Sequence, residues 1–237
     1  MKLVPNEDDE PANAVEIPRS PAPKPAPKKR MSGLERREQL IRVGRRLFAE
    51  HGFESVTVEQ IAAEAKVSKP VVYEHFIGGE IDGKEFGTKE ALYAVIVDRE
   101  IAELLRAIQS GLDAMHPRLI LEQTTMAMLT YIEKNDEGFQ ILVRDAPTGM
   151  AGAFSNLIAD IGLRVQHLLA REFKRRGLSP KLAPLYAQSL VGMIALTGQW
   201  WLDERKPGKK DVAAHIVNLA WNGLKGLEVD PELRGTY

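Results

Sequence analysis

Residues 57–76 read Thr57-Val58-Glu59-Gln60-Ile61-Ala62-Ala63-Glu64-Ala65-Lys66-Val67-Ser68-Lys69-Pro70-Val71-Val72-Tyr73-Glu74-His75-Phe76. Thr57 followed three positions later by Gln60 is a capping box, so a helix begins here. Ile61, Ala62 and Ala65 give it an inner face, and the alanines are small enough to let a second helix approach closely. It lasts about two turns and breaks near Lys66-Val67. Ser68 then caps a second helix, with Pro70 in the first turn, where a missing N–H does no harm. Val72 and Phe76, spaced i and i+4, pack inward with Val67. Lys69, Val71, Tyr73 and His75 are left outward. Two short helices joined by a tight turn, the second presenting short side chains at its start, fit a helix-turn-helix. Spacing alone allows an ordinary helical hairpin equally well.

Upstream, the segment from Gly33 has helical periodicity. Leu34, Ile41, Leu47 and Phe48 form one stripe, with Leu40 and Gly44 beside them. Arg36, Arg37, Arg42, Arg45 and Arg46 occupy the other side, where Arg45 and Arg46 read as a solvated face that raises the local potential. Gly52 ends the helix as a C′ glycine. Downstream, helices are expected over roughly 89–110, 118–134, 137–145, 151–176, 182–204 and 210–226, with stops at Pro117, Pro147, Gly177, Pro180 and Pro207-Gly208. No convincing strand pattern and no internal repeat is visible.

With these residues in place, the sequence resembles the TetR family. Leu47-Phe48, Gly52-Phe53, Thr57-Val58, Ile61-Ala62, Ala65, Val67-Ser68, Tyr73, His75-Phe76 and Lys89-Glu90-Ala91-Leu92 fall at the family's spacings over some 60 residues. The resemblance implies an all-α fold. A Pro- and Lys-rich tail occupies 1–32, a three-helix DNA-binding domain 33–95 with its motif at 57–76, and a helical ligand-binding and dimerisation domain 96–237. It implies that Ser68, Lys69, Pro70 and Val71 face base edges in the major groove, Val71 and the Pro70 ring suiting thymine methyls. Tyr73 and His75 resemble the phosphate-contacting pair, though Tyr73 also reads as a rim residue packed on the first helix. Thr57 and Lys89 resemble backbone clamps, Lys89 beside a helix N-terminus whose dipole favours phosphate.

Two departures from the pattern stand out. Lys66 occupies the turn position where the family has glycine, which is acceptable if the backbone there stays outside the left-handed region. Between Phe76 and Lys89 lies Ile77-Gly78-Gly79-Glu80-Ile81-Asp82-Gly83-Lys84-Glu85-Phe86-Gly87-Thr88, where the family has about two residues. With four glycines and no periodicity it reads as a loop insertion of about ten residues, which puts the place of Lys89 in question.

In the C-terminal part, Phe154, Leu157, Ile158, Ile161, Val165 and Leu168 make one stripe of a helix. Leu190, Ile194, Thr197 and Trp201, with Gly192, Ala195 and Gly198 alongside, resemble one half of a dimer seam. Val212, Ile216, Leu219 and Gly223 resemble the other, giving a four-helix interface. Leu104, Ile108, Met126, Met128, Leu129, Phe139, Leu142, Leu157 and Ile161 are the candidate lining of an effector pocket, although each of them taken singly reads better as plain core. Thr124, Thr125, Tyr131, Arg144 and His167 are the few polar candidates nearby. Such a pocket suits a hydrophobic or acyl-chain ligand. Tyr131-Ile132-Glu133 through Gly138-Phe139, with Leu190-Val191-Gly192-Met193 and Trp200-Trp201-Leu202-Asp203 through Lys206-Pro207, resemble TetR-type regulators of fatty-acid metabolism.

The resemblance implies a sequence-specific transcriptional regulator, by default a repressor and alternatively a ligand-dependent activator. Its expected partners are a palindromic operator, a second copy of itself and a small effector, without a metal or cofactor. The rest of the chain constrains competing classes. It has 237 residues and no cysteine, which rules out disulfides, zinc–cysteine sites and thiol chemistry. No run reaches the length of a transmembrane helix, and the acidic start does not read as a signal peptide, so a cytoplasmic protein is expected. The formal net charge of −1 argues against nucleic acid on its own. Yet basic residues cluster, and Lys28-Lys29-Arg30 ends a proline-rich tail that is either a solvated charge run or an arm along DNA. The motifs of serine hydrolases, P-loops, zinc peptidases and dinucleotide folds are missing. The five histidines (His51, His75, His116, His167, His215) are scattered. An enzyme would need a site assembled only in three dimensions. An architectural DNA-binding protein would not need so large a helical domain.

Overall fold

The computed structural model describes residues 31–81, 84–113, 116–143, 153–229 and 231–232, without the side chains at 81, 84 and 153–155. The proline-rich tail, with Lys28-Lys29-Arg30, lies outside them, as do Arg144, Pro147 and the Phe154 side chain. From Gly33 onward the chain forms one compact unit.

The described residues are helical almost throughout. They form α1 (Gly33–His51), α2 (Val58–Glu64), α3 (Lys69–His75), α4 (Thr88–Leu112), α5 (Pro117–Lys134), α6 (Asp136–Val143), α7 (Ala153–Arg175), α8 (Ala183–Glu204) and α9 (Lys209–Lys225). The predicted boundaries hold to within about two residues, because the terminators act locally. Gly52 and Gly177 take φ of +77° and +75° just past α1 and α7, as helix-ending glycines do. His116 caps α5 through Nδ1, which accepts the Arg118 N–H at 3.2 Å, and Pro117 follows at the first helical position.

Four expectations need correction. The insertion is not a structureless loop. Strands β1 (Gly79–Ile81) and β2 (Lys84–Phe86) pair antiparallel, Gly79 opposite Phe86 and Ile81 opposite Lys84. Its ends meet so closely that a Cβ on Gly78 would lie 2.4 Å from the Phe86 carbonyl oxygen. Three-residue strands are too short to show a period, but Asp82-Gly83 between them is a dipeptide that two-residue hairpins favour. Lys66 adopts φ +56°, inside the left-handed region. The Val67 N–H reaches back to the Ala62 carbonyl at 2.9 Å, and this close return of the chain forces the positive φ. Leu34 is 79% exposed at the first turn of α1, ahead of any helix it could pack against. Arg45 is not on a solvated face; it turns inward and pairs with Glu100 and Glu137.

α4 packs along α5, α5 along α9 and α7 along α8, while α6 lies over α1 and α4. One continuous core runs from Phe48, Ile61, Val72 and Phe76 in the helix-turn-helix, through Leu92 and Ile96 of α4, to Leu129, Ile132 and Trp201. Phe48, Phe53 and Tyr93 form a three-ring cluster with centroids 4.9–5.8 Å apart, locking α1 onto α4. A Cβ on Gly44 would sit 2.9 Å from the Leu92 Cδ2, so α1 crosses α4 closely at this glycine.

Candidate nucleic-acid interface and effector cavity

The sequence closes α2 and α3 into a rigid pair. Thr57 and Gln60 form the expected reciprocal cap: the Gln60 N–H donates to Thr57 Oγ1 at 3.2 Å and the Thr57 N–H to Gln60 Oε1 at 2.8 Å. Ser68 sits at the N-cap of α3 with extended backbone, but its hydroxyl makes no capping bond. Val72 and Phe76 are buried, as expected. That leaves Ser68, Lys69 and Pro70 exposed and Val71 half-exposed, while Tyr73 is 46% exposed and His75 half-buried. Ser68, Lys69, Pro70 and Val71 therefore occupy one accessible helix start, the geometry a major-groove reader requires, with Tyr73 and His75 farther along the same short helix.

α1 holds this pair from behind. Arg37 donates to the His75 carbonyl at 2.5 Å and lays its guanidinium 4.5 Å from the Phe76 ring centroid. Gln39 donates to the Ala65 carbonyl at 3.0 Å, and Arg46 pairs with Glu64. Lys69 Nζ contacts Glu59 Oε1 at 2.8 Å, a contact the sequence reading missed. Each partner favours the other's charged state, so the Lys69 ammonium is held above and the Glu59 carboxyl below its usual range.

Because the hairpin leaves and returns at one point, α4 starts close against the head. Lys89 on its first turn donates to the Phe53 carbonyl at 3.2 Å and lies 4.1 Å above the Phe53 ring. The Gly87 N–H at the start of α4 donates to the Glu90 carboxylate at 3.0 Å, so an acidic side chain occupies the helix end where a phosphate was expected.

Farther in, α4, α5, α7, α8 and α9 enclose a cavity of about 490 Å³. Of the expected lining residues, Leu104, Ile108, Met128 and Ile161 are on its wall; Met126, Leu129, Phe139, Leu142 and Leu157 are not, being packed in or against the core around it. Leu121, Ile158, Val165, Val191, Ile194 and Trp221 add apolar wall the sequence reading did not assign. Thr124 is the polar candidate that lines it; Thr125 is buried elsewhere, His167 is exposed, and Tyr131 lies beyond the inner end. The charged wall residues come from the last turns of α7 and the end of α9: Arg171, Glu172, Arg175, Arg176 and Lys225. Arg175 makes two hydrogen bonds to Glu172, at 2.7 and 2.9 Å, holding that carboxyl below the usual range. Arg176 donates to the Leu224 and Lys225 carbonyls, tying the ends of α7 and α9 together. The run Arg171-Glu172-Phe173-Lys174-Arg175-Arg176 was the available sequence signal.

Comparison with known proteins now bears on this arrangement. Residues 40–78 match the family model "Bacterial regulatory proteins, tetR family", and residues 117–223 match "Tetracyclin repressor-like, C-terminal domain". The chain belongs to the TetR family. It is accordingly a DNA-binding transcriptional regulator, the first match ending just past α3 and the second running from α5 through most of α9. A TetR-family relative, the HTH-type transcriptional activator FasR of Mycolicibacterium smegmatis, is 28% identical over 195 residues, covering 80% of this chain and 83% of the relative. Among solved structures, a TetR-like regulator from Rhodococcus sp. RHA1 superposes with TM-score 0.64 at 24% identity, covering 84% of this chain and all of that one. The fatty acid degradation regulator FadR of Bacillus halodurans superposes with TM-score 0.61 at 18% identity, covering 84% and 99%. Among the described residues, no three His, Asp or Glu side chains gather as a metal-ligand set, and no helix is long and apolar enough to cross a membrane.

Proposed function

We propose that this TetR-family chain is a homodimer that binds a palindromic operator and is released by an amphiphilic, acyl-type effector. The observation that carries the effector reading is the cavity: an apolar chamber of about 490 Å³ whose charged wall residues are four cations and one carboxylate. An apolar tail gains roughly 0.8 kcal/mol per buried methylene, and an anionic head gains from Arg171 and Lys225, which form no ion pair among the described residues. The name of the structural neighbour FadR, a fatty acid degradation regulator, points the same way.

In this reading residues 33–95 form the DNA-binding domain and 96–237 the sensing and dimerisation domain. Ser68, Lys69, Pro70 and Val71 face base edges, and Tyr73 and His75 take phosphates. Thr57 and Lys89 clamp the backbone from either side, Lys89 leaving the Phe53 carbonyl to do so. Two heads sit in successive major grooves about 34–36 Å apart. Effector binding moves α4 and alters that spacing, with a coupling of roughly 1–3 kcal/mol.

The seam proposed here is shifted from the sequence expectation. Leu190, Ile194, Trp201, Val212 and Ile216 pack into their own core. The outward stripe is Leu185, Leu196 and Trp200 on α8 with Leu219 on α9, all exposed, and a Cβ on Gly192 or Gly223 would meet nothing. That face suits a second copy. A second reading of the sign of regulation is favoured by the FasR name: the chain activates rather than represses.

The experiment is selection of bound duplexes from a random pool, with and without oleate and oleoyl-coenzyme A. Enrichment of a palindrome that either probe weakens supports a ligand-released repressor. Strengthening supports activation. Lack of any enrichment overturns the operator reading.

A further inference from the structure

Glu100 is the one buried carboxylate among the described residues, 5% exposed in the middle of α4. Each of its oxygens has a partner from a different helix. Oε1 accepts Arg45 Nε of α1 at 2.7 Å, and Oε2 accepts the Tyr131 hydroxyl of α5 at 2.8 Å. Arg45 also pairs through Nη1 with Glu137 of α6 at 3.1 Å. The next residue, Gly138, leaves the carboxylate its room: a Cβ there would fall 1.8 Å from Glu100 Oε2 and 2.9 Å from an Arg45 Nη. Four helices thus meet on one carboxylate, and one of them, α1, carries the reading head.

The place of this cluster is informative. Leu104, one turn along α4 from Glu100, and Met128, one turn before Tyr131 on α5, both line the cavity. The cluster therefore lies just beyond the inner end of the cavity, between it and the head. Buried ion pairs are poor glue, since removing two charges from water offsets most of their attraction. They are short-range and directional, so they hold one geometry and release abruptly when it is lost. A helix-packing contact would serve stability alone as well with an apolar side chain.

We propose that the Arg45–Glu100–Tyr131–Glu137 cluster is the clasp that sets the orientation of the DNA-reading head relative to the sensing domain, and that filling the cavity acts through it. This rests on the operator-binding reading above. A ligand that shifts α4 at Leu104 against α1 or α5, or α5 at Met128 against α4, lengthens a bond to Glu100. Arg45 then loses its fixed partner, and α1 is freed to turn with α2 and α3. Glu100, Arg45 and Tyr131 are positioning residues; none is assigned a contact with DNA or effector.

The test needs no effector. The full-length parent, Tyr131→Phe and Gly138→Ala are assayed against palindromes carrying the selected half-site, with the centre lengthened or shortened by one and two base pairs. Tyr131→Phe keeps the ring, which packs edge-on to Phe139 at 6.4 Å, and removes only the hydroxyl. Gly138→Ala pushes a methyl against the carboxylate, and if it fails to fold, Tyr131→Phe decides. The parent is expected to prefer one spacing by tenfold or more. The variants are expected to bind neighbouring spacings within about twofold of one another, with unchanged base preference inside the half-site. A head that was merely unfolding would lose base preference too. If the parent discriminates spacing and the folded variants reproduce its profile, the clasp is overturned while the operator reading stands. A parent that selects no duplex overturns both.

Discussion

Lys66 holds a left-handed backbone in the turn between α2 and α3, a conformation that disfavours a residue with a Cβ by about 1–2 kcal/mol. The side chain is exposed, and among the described residues no ion pair or hydrogen bond from it offsets this. Lys66→Gly is therefore expected to raise unfolding stability by roughly 0.5–1 kcal/mol, after allowing for glycine's greater entropy in the unfolded chain. Urea titration reads it as a higher midpoint at unchanged slope; an unchanged midpoint would mean that the ammonium contributes about as much as the strain costs. The conformation was not legible in the sequence because the family's glycine is a statement about φ, and lysine there could signal either a relaxed turn or a strained one. In and around α3, by contrast, Val72 and Phe76 are buried and Lys69 and Tyr73 exposed as read from sequence alone, since a motif of consecutive residues needs little tertiary information. Val71 and His75, read as outward, are half-buried, His75 because α1 packs beside it.

Helices α4 and α5 touch at Gly111, where a Cβ would lie 2.7 Å from the Thr124 backbone nitrogen. Backbone cannot rotate away as a side chain can. Gly111→Ala is expected to destabilise by about 1–3 kcal/mol through overpacking. Gly162→Ala on α7, whose nearest neighbour is Gln188 Oε1 at 3.9 Å, is expected to stabilise by up to about 1 kcal/mol. Paired thermal melts separate the two; a Gly111→Ala melt at or above the parent's would mean the helices slide apart freely. The clasp between α1, α4, α5 and α6 gives a pH expectation. Burial, reinforced by the Glu100 charge, pushes the Tyr131 hydroxyl far above its ordinary value near 10. The folded state then binds the proton more tightly than the unfolded state. Stability from this source is full below about pH 10 and falls as pH rises beyond it. Between pH 10 and 11 the parent should lose stability more steeply than Tyr131→Phe in denaturant titrations, and equal slopes would mean that Tyr131 ionises freely. At this scale helix periodicity placed the elements well. The hairpin escaped because its strands are three residues long. The cavity was only partly found because its wall is shared among five helices, and periodicity does not say which apolar stripe faces a void and which faces a neighbour.

For the whole molecule, α8 poses that same question, since it is apolar on two sides. Ile194 and Trp201, 9% and 2% exposed, belong to the chain's own core, whereas Leu196 and Trp200, 68% and 50% exposed, do not. An apolar patch of this kind suits a second copy, as the proposed two-headed grip on one duplex requires. Leu196→Glu puts a charge on the outer stripe only. The variant is expected to keep its helical circular dichroism and to sediment as a monomer at micromolar concentration, where the parent sediments as a dimer. Its operator affinity should fall at least 100-fold, because each head then binds its half-site without the benefit of being tethered to the other. Ile194→Glu, one turn face over, should instead lose helical signal, since it buries an unpaired carboxylate. If Leu196→Glu remained a dimer and bound the full palindrome as the parent does, α8 would not be the seam. The search would then move to Leu163 of α7, which is also exposed.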